Sequence, residues 1–129
     1  MSYKILTVDD SRMVRKIVAK AFLPLGCEIF EAVNGTTALA MAAAVLPDLI
    51  FLDITMADMN GLVALEKLRQ VESLQSTPVI MLTAESGTHS IERADRLNVA
   101  GYVAKPFKAE QLLTLAGRIL DLQPLAASD

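Results

Sequence analysis

The chain is poor in the residues that would tie it to an oxidising compartment, a membrane or a nucleic acid. It has a single cysteine, Cys27, so no disulfide framework can form within it, and a reducing compartment is the simpler setting. Its apolar runs are broken by Pro, Asp or Lys well short of the roughly 20 residues a membrane span needs. Met1 to Lys4 lack the apolar core of a secretory leader. The expectation is a soluble, cytoplasmic protein with no membrane insertion. The net charge is -3, and the 12 Lys and Arg are scattered without a basic stripe, which argues against direct DNA binding. There is one histidine, His89, read as exposed at a helix start.

What remains is 129 residues, 53% hydrophobic and 21% charged, enough for one globular domain that buries roughly two thirds of its unfolded surface. Apolar runs and helical spacing alternate along it. Ile5 to Val8 reads as a strand, and Val14, Ile17, Val18, Ala21 and Leu25 as one face of a helix closed by Gly26. Cys27 to Val33 is a strand and Thr37 to Val45 an Ala-rich helix that stops before Pro47. Leu49 to Leu52 is an all-apolar strand, and Leu62, Leu65 and Leu68 mark a helix after Gly61. Val79 to Leu82 is the fourth strand, Ser90 to Leu97 a weaker helix, and Gly101 to Ala104 the last strand. Lys108 to Leu122 is the final helix, with Leu112, Leu115, Ala116 and Ile119 inward. Three strands are continuously apolar, so both sheet faces are covered. The predicted fold is a doubly wound parallel α/β sheet of five strands with five helices. One domain covers residues 1–122, and 123–129 form a fraying tail.

In such folds ligands sit beyond the carboxyl ends of the strands. The first strand ends at Asp9 and Asp10, the third at Asp53, the fourth at Thr83 and the fifth at Lys105. Three carboxylates that close resist full ionisation unless a cation joins them. Hard oxygen ligands with no His or Cys nearby favour Mg²⁺ over zinc or copper. Lys105 can hold the far side of a phosphoryl group as a point charge. A metal, an ammonium and a hydroxyl around one remaining carboxylate suit phosphoryl transfer. Adjacent Asp9 and Asp10 serve better as metal holders, which leaves Asp53, alone at the end of the central strand, as the nucleophilic acceptor.

The motifs "VDDS" (Asp9, Asp10), "PDLIFLDITM" (Asp53), "VIMLTA" (Thr83) and "GYVAKPF" (Tyr102, Lys105, Pro106) stand in this order. With them the chain resembles the receiver domains of two-component response regulators, and is most similar to the stand-alone, chemotaxis-type members, from Lys4 to about Leu120. The resemblance implies a flavodoxin-like sheet with strand order 2-1-3-4-5. It implies that Asp10, Asp53 and the backbone carbonyl of Thr55 bind Mg²⁺ directly, and that Asp9 acts through a metal-bound water. Asp53 would take a phosphoryl group from the histidine of a partner kinase, Lys105 would contact it, Thr83 would swing toward it and Tyr102 would turn inward. The Lys105-Pro106 bond is commonly cis in the family. Thr55 and Glu85 occupy positions that tune the phosphate lifetime. The output would be the surface of the fourth helix, fifth strand and fifth helix, including Ile91, Ala94, Tyr102 and the outward face of Lys108 to Gln111. A downstream protein would bind there, in a flagellar motor switch, a phosphorelay intermediate or a phosphate sink. The protein would then be a switch, not an enzyme in the turnover sense, catalysing only its own phosphorylation and slow dephosphorylation.

One position departs from the pattern: Ala57 stands where receivers usually have Pro, which predicts a less rigid loop after Asp53. Other functions fit less well. A haloacid-dehalogenase-type phosphatase would want a second Asp where Thr55 stands. A flavin- or nucleotide-binding protein would want glycines in the first loop, "DDSR", which has none and is negative where phosphate would sit. A scaffold signalling without phosphorylation would not need five site residues. The bland alternative for Asp10 or Ser11 is a helix N-cap.

Overall fold

β3 (Leu49–Asp53) and β4 (Val79–Thr83) are buried at every residue, as expected of strands covered on both faces by helices. β1 (Lys4–Val8), β2 (Glu28–Ala32) and β5 (Gly101–Ala104) complete a sheet in the order β2-β1-β3-β4-β5. Every neighbouring pair is parallel. This is the predicted flavodoxin-like order. The computed structural model describes residues 2–56, 58–83 and 95–122.

Alternation along the strands sends neighbouring side chains to opposite faces. Leu6, Val8, Ile50, Leu52 and Met81 pack with Leu62, Leu65 and Leu68 on one face. That face is covered by α2 (Gly35–Val45) and α3 (Gly61–Gln70). Ile5, Leu49, Phe51, Ile80, Leu82 and Val103 pack on the other face, beneath α1 (Arg12–Phe22) and the C-terminal helix α4 (Ala109–Gly117). Phe22 of α1 meets Phe51 with ring centroids 5.5 Å apart.

Helix starts are set by short polar side chains. The Ser11 hydroxyl accepts from Val14 N–H at 3.3 Å, Asn34 Oδ1 from Thr37 N–H at 2.8 Å, and Asn60 Oδ1 from Leu62 N–H at 2.7 Å. These satisfy amides that have no partner inside the helix. The cap of α1 is therefore Ser11, which leaves the side chain of Asp10 outside the helix start.

Several boundaries differ from the sequence expectation. β3 and β4 each run one residue further, taking Asp53 and Thr83 into the sheet. α1 ends at Phe22, because Pro24 turns the chain into a 3₁₀ segment, Leu23–Leu25, closed by Gly26 at φ 79°. That left-handed conformation suits glycine. α2 begins two residues before Thr37, since Asn34 is its cap. Cys27 is buried just ahead of β2, and its thiol is raised by burial and by the charge of Asp48. The last helix stops at Gly117, well short of Leu122; Leu112 and Ala116 are fully buried, and Leu115 and Ile119 pack at the edge of the same cluster. The predicted helix from Ser90 to Leu97 falls mostly outside the described residues, where only Asp95 and Arg96 of it are helical. The tail from residue 123 also lies outside them.

Arg69 ties two loops at one edge. Its guanidinium donates to the carbonyls of Leu97 at 2.9 Å, Leu74 at 3.0 Å, Thr77 at 2.8 Å and Asn98 at 3.3 Å. Burial lowers its pKa below the usual guanidinium range.

Candidate functional site

Each strand that ends at a candidate residue is held there by an extension of its ladder. Asp9 N–H donates to Ala32 O at 3.1 Å, Ile54 N–H to Leu82 O at 3.0 Å, and Lys105 N–H to Thr83 O at 2.7 Å. The carboxyl ends of β1, β3 and β4 and the residue after β5 are thereby brought level at one edge. The Lys105-Pro106 peptide is cis.

Asp9 is fully buried and Asp53 almost so. The Lys105 ammonium lies between them, 2.8 Å from Asp9 Oδ2 and 3.2 Å from Asp53 Oδ1. The other oxygen of Asp9 accepts from Ser11 N–H at 2.9 Å, and Asp53 Oδ1 also accepts from Thr55 N–H at 3.3 Å. Arg15 steadies the same loop from α1, donating to the Asp9 carbonyl at 2.8 Å while its Nε pairs with Glu31 at 2.8 Å. Asp10 is exposed, and one carboxylate oxygen from each of Asp9, Asp10 and Asp53 lies within 4.8 Å of the other two.

Burial pushes the Asp53 carboxyl above the ordinary carboxylate range, and the Asp9 charge pushes it further. The Lys105 ammonium and the Thr55 N–H pull the other way without cancelling this. For Lys105, burial alone would lower the pKa, but the hydrogen bond to Asp9 and the two carboxylate charges outweigh it and hold the ammonium above its usual range. Two carboxylates thus share one fixed cation, while a third stands at the solvent edge.

The residues fit a divalent ion. Among the described residues of the cluster, three carboxylates stand against one ammonium, all the donors are hard oxygens, and Asp10 is exposed. That set suits Mg²⁺.

Thr83 is buried at the end of β4, and Thr55 is exposed. Tyr102 on β5 is half-buried, and its hydroxyl donates to Asp95. Burial, then that hydrogen bond and the Asp95 charge, push the phenol up to about 12. An apolar groove of about 300 Å³ runs beside Lys105, lined by Met13, Val14, Ile17, Pro106 and Phe107. Glu85, Ile91, Ala94, Ala57 and His89 lie outside the described residues.

The sequence pointed to all five residues that the strand ends carry, and the structure brings Asp9, Asp10, Asp53 and Lys105 together, with Thr83 on the adjoining strand end. It did not point to Arg15, to Asp95, or to Gly61. A Cβ built at Gly61 would fall 2.1 Å from the Asp53 carbonyl oxygen, so the start of α3 rests directly on the acceptor's backbone. A glycine after "DMN" gives only a weak hint of such an approach.

A 2-1-3-4-5 parallel sheet with three carboxylates and a lysine at its carboxyl edge defines a receiver, the phosphoryl-accepting switch of two-component signalling. The chain belongs to the response regulator receiver domain family, whose sequence profile matches residues 5–116. It is 40% identical over 110 residues to the chemotaxis protein CheY of Pseudomonas aeruginosa, covering 84% of this chain and 89% of that one. It is 38% identical over 122 residues to the regulatory protein AtoC of Escherichia coli, covering 95% of this chain but spanning only 26% of AtoC's length. Among solved structures, the chemotaxis response regulator CheY4 of Vibrio cholerae superposes with a TM-score of 0.87 at 32% identity, covering 93% of this chain and all of that one. Members of this family receive phosphate from histidine kinases and act as signalling switches, not as conventional enzymes. Among the described residues no helix is long and apolar enough to cross a membrane.

Proposed function

We propose that the protein is a Mg²⁺-dependent phosphorylation switch in which Asp53 accepts a phosphoryl group from the histidine of a partner kinase. The observation that carries this reading is the Lys105 ammonium held between Asp9 and Asp53 at 2.8 and 3.2 Å. Asp10, Asp53 and the Thr55 carbonyl would hold the ion directly and Asp9 through water, and the bound ion would neutralise charge on the phosphoryl oxygens. The chain's own residues do the rest. Asp53 offers a carboxylate oxygen from a position fixed by β3, Thr55 N–H donates to that carboxylate, and Lys105 supplies a fixed positive charge.

Phosphorylation would then draw on residues at the strand ends. The Thr83 hydroxyl turns toward the phosphoryl group and Tyr102 turns inward, which requires it to leave Asp95. The surface around β5 and α4, with Tyr102 and the stretch from Lys108 to Gln111, would bind a downstream protein more tightly in that state. Thr55 and Glu85 would set how long the phosphate lasts. The apolar groove beside Lys105 offers the phosphodonor a landing next to the acceptor. The reading places the protein in the cytoplasm as a single domain over residues 1–122, with no direct DNA contact, and chemotaxis or flagellar motor control is its proposed setting.

Intact-protein mass spectrometry after incubation with acetyl phosphate tests the reading. One phosphoryl group should be gained with Mg²⁺ present, and none without Mg²⁺ or in Asp53→Asn. Uptake by that variant under the same conditions removes Asp53 from the role. A wild type that neither gains phosphate nor binds beryllofluoride would make the chain a scaffold.

A further inference from the structure

Asp58 stands on the loop between β3 and α3, five positions beyond Asp53, and its carboxylate is engaged away from the acidic site. Oδ1 accepts from Gly35 N–H at 2.9 Å, and Oδ2 from Thr36 N–H at 3.0 Å and from the Thr36 hydroxyl at 2.8 Å. These donors belong to the first turn of α2, whose own cap, Asn34, is already in place. The helix therefore carries one cap from its own segment and a second delivered by a different loop. A capped helix gains modestly from another carboxylate at an exposed end. The loop gains an anchor.

That anchor has company. A Cβ at Gly35 would fall 2.3 Å from Met59 Cγ, so the residue after Asp58 is also seated on α2. At the far end of the loop, Gly61 N–H donates to Ile54 O at 2.6 Å, and Gly61 rests against the Asp53 backbone. The segment that leaves Asp53 is thus fixed at its end to β3 and near its middle to α2. Thr55 lies between Ile54, which accepts from Gly61, and Asp58, which is held by α2. Two residues beyond Thr55 the chain has Ala57, where the resemblance to receivers implies a proline.

We propose that Asp58 is a positioning residue: by clasping the first turn of α2 it holds the loop so that the Thr55 carbonyl and N–H are set for the metal and for Asp53, supplying the restraint that a proline at 57 gives elsewhere. The proposal rests on the metal site proposed above. The Gly35 and Thr36 amides hold the Asp58 carboxyl down at about 2, so the clasp keeps its charge throughout the working pH range.

The test compares full-length Asp58→Ala with Asn34→Ala, which also removes a cap from α2 but leaves the loop tied. Three quantities are measured: Mg²⁺ affinity by calorimetry, amide hydrogen exchange at Thr55 in metal-free protein, and the rate of phosphorylation by acetyl phosphate at saturating Mg²⁺. Asp58→Ala should weaken Mg²⁺ binding about tenfold, the low end of what residues behind a metal's ligands carry, and should speed exchange at Thr55 and slow phosphorylation. Asn34→Ala should speed exchange within α2 and leave Mg²⁺ affinity near wild type. Asp58→Asn, which keeps one accepting oxygen, should fall between, and Ala57→Pro should restore most of the affinity lost in Asp58→Ala. Wild-type Mg²⁺ affinity and Thr55 exchange in Asp58→Ala, or an equal loss of affinity in Asn34→Ala, would overturn the proposal. If the wild type gains no phosphoryl group, the role of Asp53 fails, and exchange at Thr55 still decides the clasp.

Discussion

Asp53 is held in a setting that does not favour its own ionisation. A carboxyl whose pKa is raised on folding binds its proton more tightly folded than unfolded. Its contribution to stability is therefore present at low pH and lost as the pH rises through the folded value. At neutral pH the ionised Asp53 costs stability, through burial and the neighbouring Asp9. Asp53→Asn should accordingly raise the stability at pH 7 in Mg²⁺-free buffer by on the order of 1 kcal/mol, the scale of single substitutions. The gain should shrink as the pH falls toward 3, where wild-type Asp53 is itself protonated. Thermal unfolding of the two proteins across that range checks it; a variant less stable than wild type at pH 7 would mean that Lys105 more than compensates the two carboxylates.

Elements, in turn, are locked to one another by groups that leave little trace in sequence. Arg69 near the end of α3 donates to four backbone carbonyls, two of them on the segment that enters β5. Arg69→Ala strands those carbonyls and should cost about 3 kcal/mol, since bonds from a charged donor exceed the usual net value. Arg69→Lys should recover little, because one ammonium cannot match the geometry of a fork. Chemical denaturation of both variants is the measurement.

The same contrast explains what could be read beforehand. β3 and β4 are legible because "LIFL" and "VIML" are short apolar runs that follow a proline and so suit covered strands better than helices, and the site follows from where such strands end. α2 begins two residues earlier than its sequence implies, because Asn34 and Gly35 read as a turn although the asparagine is a cap. The last helix ends sooner than its sequence implies, because leucine spacing continues past Gly117. The clasps made by Arg69 and Asp58 are not legible at all: apart from the Thr36 hydroxyl, their partners are main-chain groups up to 29 positions away, and a backbone amide or carbonyl has no letter. The bonds of Asp58 to the start of α2 are not revealed by spacing.

At the scale of the whole molecule, the Lys105 ammonium connects the ends of β1 and β3 to the segment after β5. Lys105→Ala removes the cation set between two buried carboxylates, the costly way to break such a pair. Stability should fall by about 3 kcal/mol without Mg²⁺, at the lower end for buried pairs because the lysine is partly exposed. The loss should narrow as Mg²⁺ is added, because an ion that binds only the folded form stabilises it by mass action. Melting curves with and without Mg²⁺ decide this; a loss that Mg²⁺ leaves unchanged would place the ion away from these carboxylates.

The contact between Asp9 and Lys105 spans 96 positions, and this gives the site a property that a local motif cannot have. A chain cut short before β5 carries all three aspartates but lacks Lys105, the ammonium set between two of them. Its carboxylates repel where they should converge. The pairing of the two buried carboxylates is therefore complete only once β5 has docked beside β4 and carried Lys105 to the edge of the sheet.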